Sequence, residues 1–146
     1  MNTDQVVVDT SVLLKWFLPG DEEYQAQALK LRERFFNGEL KVFLPEYAAY
    51  ELGNRLSRLP KVHSAYFLDV LELSGQLLPL SRSQLARTFD LASHQQRGSA
   101  KGPTFYDACF IVVAQDQQCP LVTADALQAH AATRSGVKVI ELKNYV

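Results

Sequence analysis

Short apolar runs alternate along the whole chain with longer stretches whose apolar residues recur at helical spacing. Runs at Val6–Val8, Lys41–Leu44, Leu77–Leu80, Leu121–Thr123 and Val137–Leu142 predict five strands. Between and after them the pattern predicts helices over Ser11–Leu18, Asp21–Asn37, Pro45–Leu59, Val62–Ser74, Ser83–Gln96, Pro103–Gln117 and Ala126–Arg134. Pro45 and Pro103 suit a first helical turn, where the missing N–H is not needed. Gly38, Gly75 and Gly98 fall where helices should end. Strands alternating with helices imply crossover connections. The expected fold is therefore α/β, a mostly parallel sheet covered on both faces, in one domain spanning residues 1–146. Ligands of such sheets bind beyond the carboxyl ends of the strands, and that is where chemistry should be sought.

Acids stand at those ends. Asp9 follows Val6-Val7-Val8 directly, and Asp125 follows Leu121-Val122-Thr123-Ala124. Either acid alone could simply cap the next helix; their recurrence on one rim is the informative feature. Asp107 lies in Phe105-Tyr106-Asp107-Ala108-Cys109-Phe110-Ile111-Val112-Val113-Ala114, a stretch apolar almost all round. A carboxylate there must be hydrogen-bonded, paired or metal-bound. Glu51 flanks the stripe of Ala48, Leu52, Leu56 and Leu59, stacked with Ala48 and Arg55, so an ordinary pair with Arg55 is its plainer reading.

Four carboxylates gathered together repel, by about 4 kcal/mol per pair at 4 Å and an effective dielectric of 20, unless a cation intervenes. Oxygen ligands without thiolate or imidazole select Mg²⁺ or Mn²⁺, and none of His63, His94 and His130 falls beside these acids in sequence. Such a site suits phosphodiester hydrolysis. The formal net charge of -1 means that any nucleic-acid binding must use a local patch. Cys109 and Cys119 have no metal-ligand spacing and are too few for a disulfide scaffold, which favours a reducing compartment. No leader-like segment and no membrane-length apolar run is present, so a cytoplasmic protein is expected.

Val6-Val7-Val8-Asp9-Thr10-Ser11-Val12-Leu13-Leu14-Lys15-Trp16-Phe17 resembles the opening of PIN-domain proteins, especially VapC-type toxins of prokaryotic toxin–antitoxin pairs. Pro45 to Leu56, Tyr106-Asp107-Ala108 and Pro120-Leu121-Val122-Thr123-Ala124-Asp125 are similar to that family's later acidic motifs, in order and spacing. The resemblance implies a five-stranded α/β/α sandwich and a Mg²⁺- or Mn²⁺-dependent endoribonuclease. It also implies a homodimer inhibited by a small antitoxin protein. Asp9, Glu51, Asp107 and Asp125 match the acidic quartet by position, with Asp9, Asp107 and Asp125 toward the metal. Ser11 and Thr123 match supporting hydroxyls. Ala126-Leu127-Gln128 stands where many relatives carry another charged side chain, so a fifth ligand is left open.

RNA would need cations near the acids. Arg97 and Lys101, in a loop leading to the Asp107 helix, are the first candidates; Arg55, in a row with Arg58 and Lys61, and Lys15 are others. Trp16, Phe17, Phe35, Phe36, Tyr47 and Tyr50 should mostly enter the core, with some surface left for an amphipathic partner helix. A rival class is the phospho-accepting receiver domain, which needs its acceptor Asp at the end of the middle strand. Here that middle strand is expected to end Leu78-Pro79-Leu80-Ser81, without an acid. The related phosphatase motif needs two Asp separated by one residue, and Asp9-Thr10-Ser11 lacks the second. A non-enzymatic rival is a degenerate PIN-like domain that only binds RNA or protein.

Overall fold

A computed structural model of the chain describes residues 4–18, 20, 22–59, 64–74, 77–95 and 102–146. Its strands are β1 (Asp4–Val8), β2 (Leu40–Pro45), β3 (Leu77–Leu78), β4 (Leu121–Thr123) and β5 (Val139–Glu141). Its helices are α1 (Thr10–Leu14), α2 (Gln25–Phe36), α3 (Tyr47–Leu56), α4 (Ser64–Ser74), α5 (Arg82–Gln95), α6 (Phe105–Gln117) and α7 (Ala126–Arg134), with a short 3₁₀ turn at Leu142–Asn144. The strands form one sheet in the order β3-β2-β1-β4-β5, and every pairing is parallel. Helices cover it as a three-layer α/β/α sandwich.

The chain leaves β1 in one direction through β2 and β3, then returns to the other side of β1 for β4 and β5. Strand order therefore reverses between β1 and β4, which is where open α/β sheets form their ligand crevice. Both strands are deeply buried at that point: Val7, Val8, Leu121 and Val122 expose nothing to solvent. That is why they read as continuous apolar runs rather than alternating ones.

Helix α6 fits the expectation of burial on nearly every side. Ala108 through Ala114 are all buried, and the helix packs on β1, β2, β4, α5 and α7. Its start differs from the proline-based expectation. Pro103 precedes Thr104, which caps the helix, and Pro45 ends β2, paired with Leu78, instead of opening α3. Gly38 does close α2, with φ +75° that a side chain would resist. Gly75 and Gly98 lie outside the described residues.

The third strand is shorter than expected and sits at the sheet's edge. The middle strand is β1, and it ends in Asp9. Absence of an acid after Leu78 thus does not argue against a receiver domain; the strand order does, since receivers run 2-1-3-4-5.

Ile111 is fully buried at the centre of α6. Ile111→Ala should lower stability by about 2–5 kcal/mol through lost contact and a residual cavity. Urea unfolding should show this as a lower midpoint with an unchanged slope.

Candidate active site

Asp9 is 6% exposed at the end of β1, where its own N–H donates to the Val122 carbonyl of β4 at 3.0 Å. It caps α1: Oδ2 accepts from the Ser11 N–H at 3.1 Å and from the Ser11 hydroxyl. The other oxygen, Oδ1, accepts from Gln128 Nε2 at 3.2 Å. Burial pushes this carboxyl's pKa up, the hydrogen bonds pull it down, and the charge of Asp125 raises it further.

Asp125 caps α7 in the same way, its Oδ1 accepting from the N–H groups of Leu127 and Gln128 at 2.8 and 3.1 Å. Its own N–H donates to Thr123 Oγ1 at 3.0 Å. Asp107 is in the first turn of α6, forming a capping box with Thr104. It is half-buried, and its pKa is raised by burial, then by Asp9 and Asp125. Glu51, half-buried on α3, is raised by burial, then by Asp9 and Asp107. The Thr10 hydroxyl, itself buried, donates to Glu51 Oε2 at 3.5 Å.

The four acids therefore share one electrostatic neighbourhood, each from a different element: the β1 end, α3, the first turn of α6 and the β4 end. Capping and clustering turn out to be compatible. Each Asp serves its local helix with part of its oxygen capacity and still faces the others. The plainer reading of Glu51 is not what forms: Arg55 lowers its pKa through space, but among the described residues no ion pair joins them.

No three acidic, imidazole or thiol side chains among the described residues close tightly enough to enclose an ion. The cluster is open. In donor chemistry it still fits a hard divalent cation that keeps several waters, since carboxylate oxygens dominate and like charges crowd one another. The two cysteines are buried, unbridged and pushed up to about 11, so neither offers a thiolate at neutral pH.

Two residues here were not singled out from the sequence. Thr10 could have been suspected from lying beside Asp9. Gln128 entered only within Ala126-Leu127-Gln128, as the place of an open fifth ligand, because a lone glutamine in a helix is ordinarily a surface residue. It is fully buried and bonded to Asp9, to the Asp107 carbonyl and to Thr123.

The expected cations fare unevenly. Arg97, Lys101 and Lys61 lie outside the described residues. Arg55 and Arg58 are exposed on and just after α3. Lys15 is largely buried and faces Glu22 at 3.9 Å. Arg87 is engaged within the fold, tying α5 to α6 through Asp116 at 2.7 Å and Gln115. The aromatic residues divide into two groups. Trp16, Phe17, Phe35 and Phe36 join Tyr66 and Phe67, whereas Tyr47 stacks on Tyr106 at 4.3 Å, between the helices carrying Glu51 and Asp107. Tyr50 is exposed.

A family model described as PIN domain matches residues 6–134, and the chain belongs to that family, whose members are generally nucleases. No curated protein sequence matches it. Among solved structures, its fold is similar to FitAB bound to a DNA fragment, with a TM-score of 0.69 at 18% identity over 94% of each chain. It is also similar to PAE2754 of Pyrobaculum aerophilum, at 0.58 and 21% identity over 97% of this chain and 91% of that one. VapBC2 of Rickettsia felis, bound to a promoter DNA fragment, gives 0.60 at 13% identity over 94% and 98%.

Raised carboxyl pKa values make the folded chain hold protons that the unfolded chain has already released, from roughly pH 4 up to the raised values. The contribution of these groups to stability thus falls as pH climbs through that window. Asp107→Asn removes one repelling charge and keeps an oxygen for the Thr104 cap. In chelator at pH 7 it should melt roughly 1–3 °C above wild type, a modest gain because the group is only half-buried. The difference should shrink toward pH 4. A variant that melts below wild type at pH 7 in chelator would count against mutual repulsion.

Proposed function

We propose that this protein is a Mg²⁺- or Mn²⁺-dependent endoribonuclease, the toxin of a toxin–antitoxin pair, acting as a cytoplasmic homodimer of single-domain chains. The observation that carries the reading is the convergence of four carboxyls from four separate elements on the crevice between β1 and β4. Capping alone would explain Asp9 or Asp125 singly; it does not explain why the same rim also receives Asp107 and Glu51.

Asp9, Asp107 and Asp125 would hold the ion, and Glu51 would ligate it or orient the attacking water. When bound, the ion lowers the pKa of a coordinated water and offsets charge on the phosphate. Ser11 donates to Asp9 Oδ2 and Thr123 Oγ1 accepts from the Asp125 N–H, which favours a supporting role for both hydroxyls. Arg55, exposed near Glu51, is the best-placed described cation for an RNA backbone. Arg97 and Lys101 remain candidates from their place in the sequence, and Lys15 a weaker one given its contact with Glu22.

The likeness to FitAB and VapBC2, which are toxin–antitoxin complexes, supports a small protein partner. A surface suited to one exists. Phe36, at the end of α2, stacks near Tyr66 of α4, Leu73 lies on the same face of α4 as Tyr66, and Phe36 and Leu73 are 42% and 60% exposed. An amphipathic helix could cover such a strip.

Wild-type protein should cleave single-stranded RNA with Mg²⁺ or Mn²⁺ and stop in chelator. Asp9→Asn and Asp107→Asn should lower the cleavage rate by at least about 10²-fold, at or beyond the loss typical of an outer-shell partner of a metal site. Both should remain folded by circular dichroism. Full activity in both variants would sink the assignment. Metal-independent RNA binding without cleavage by the wild type would favour the non-catalytic module instead.

A further inference from the structure

We infer that Gln128 is a positioning residue of this site: one buried amide that holds Asp9 and the Asp107 segment in the relative placement a shared cation requires. The inference rests on the nuclease reading above and adds a residue to it.

Gln128 is 0% exposed, one turn into α7. Its Nε2 reaches Asp9 Oδ1 at 3.2 Å and the Asp107 carbonyl at 3.2 Å, and its Oε1 lies 2.6 Å from Thr123 Oγ1. Chemistry dictates which way the amide faces. An ionised Asp9 and a backbone carbonyl can only accept, so the two N–H groups must point to them. The Thr123 hydroxyl can donate, and it gives its proton to Oε1 while accepting from the Asp125 N–H at 3.0 Å. Every hydrogen-bonding position that matters is thus used in one sense, from Asp125 N–H through Thr123 and Gln128 to Asp9.

That chain of bonds spans the segments bearing three of the four acids. β1 and β4 are already registered by sheet hydrogen bonds, but the first turn of α6 is not part of the sheet. Helix α6 is held through its apolar body and, at its far end, by the polar ties of Gln115 and Asp116. The Gln128–Asp107 carbonyl bond is a directional contact at the end that carries the carboxylate. The bond to Asp9 also supplies a donor to a buried charge, whose desolvation would otherwise be uncompensated on that oxygen. A glutamine that merely filled space would need neither contact.

Gln128→Met keeps the volume and removes the amide; Gln128→Asn keeps the amide on a side chain one methylene too short to span all three partners. In metal-free protein at pH 7, the melting temperature gained on Asp9→Asn should be larger in the Gln128→Met background than in wild type. There the Asp9 charge has lost its donor, and the amide introduced by Asp9→Asn meets no opposing N–H. Isothermal titration with Mn²⁺ alone should show dissociation constants raised about 10- to 100-fold in both Gln128 variants. With RNA, kcat should fall while KM stays near wild type, because Gln128 touches no substrate.

An additive melting cycle would overturn the proposed contact. Wild-type Mn²⁺ affinity and kcat in both Gln128 variants, alongside a wild type that binds and cleaves normally, would overturn the inference alone. A wild type that binds no Mn²⁺ would overturn the nuclease reading and this inference together.

Discussion

A buried carboxylate at the end of the central strand sets the terms for everything around it. Asp9 is surrounded by apolar strands and helices, where an unpaired charge would be costly. Its two oxygens take three donors from two directions: the backbone and hydroxyl of Ser11, and the amide of Gln128. The sheet order brings β4 alongside β1, and α7, which follows β4, carries the amide. The crevice is therefore a consequence of topology, while its polarity comes from a few side chains that keep one acid usable inside a dry interior.

Much of this was legible from residue order. The apolar runs at Val6–Val8 and Leu121–Thr123 stand out because both strands are buried on two faces, and an acid terminating such a run is conspicuous. Asp107 was conspicuous for the same reason, at the start of a helix apolar almost all round. What patterns could not show is which oxygen faces what. Whether Asp9 and Asp125 cap helices or join a cluster was open in sequence; both occur, because a carboxylate has lone pairs enough for two tasks.

Other expectations failed for identifiable reasons. The third strand is a two-residue edge strand, not the middle one, since strand order depends on crossovers and not on position along the chain. Pro45 closes a strand because it is the last residue paired with β3, a place where a missing N–H is harmless. Lys15, a candidate for RNA contact by its place in the sequence, instead meets Glu22, and Arg87 is tied to Asp116 of α6. Charge runs reveal which side chains are charged, not which charges are already matched. The role of Gln128 was hidden for a related reason. An uncharged amide attracts notice only when its surroundings are known, and those surroundings come from segments more than a hundred residues apart in the chain.

The double duty of Asp9 and Asp125 bears on how such a site can be dissected. Each carboxylate starts a helix as well as facing its fellow acids. Truncation to alanine would remove both tasks at once, at a cost of about 0.5–2 kcal/mol for a lost cap, so an inactive alanine variant could not distinguish a crippled centre from a frayed helix start. Asparagine caps about as well as aspartate, and it separates the two. In a domain where scaffold and chemistry share atoms, the choice of replacement decides what question a variant answers. Natural drift meets the same constraint: a lineage that abandoned catalysis would still be held to short polar residues at positions 9 and 125. Polar residues surviving there would be poor evidence that activity had survived too.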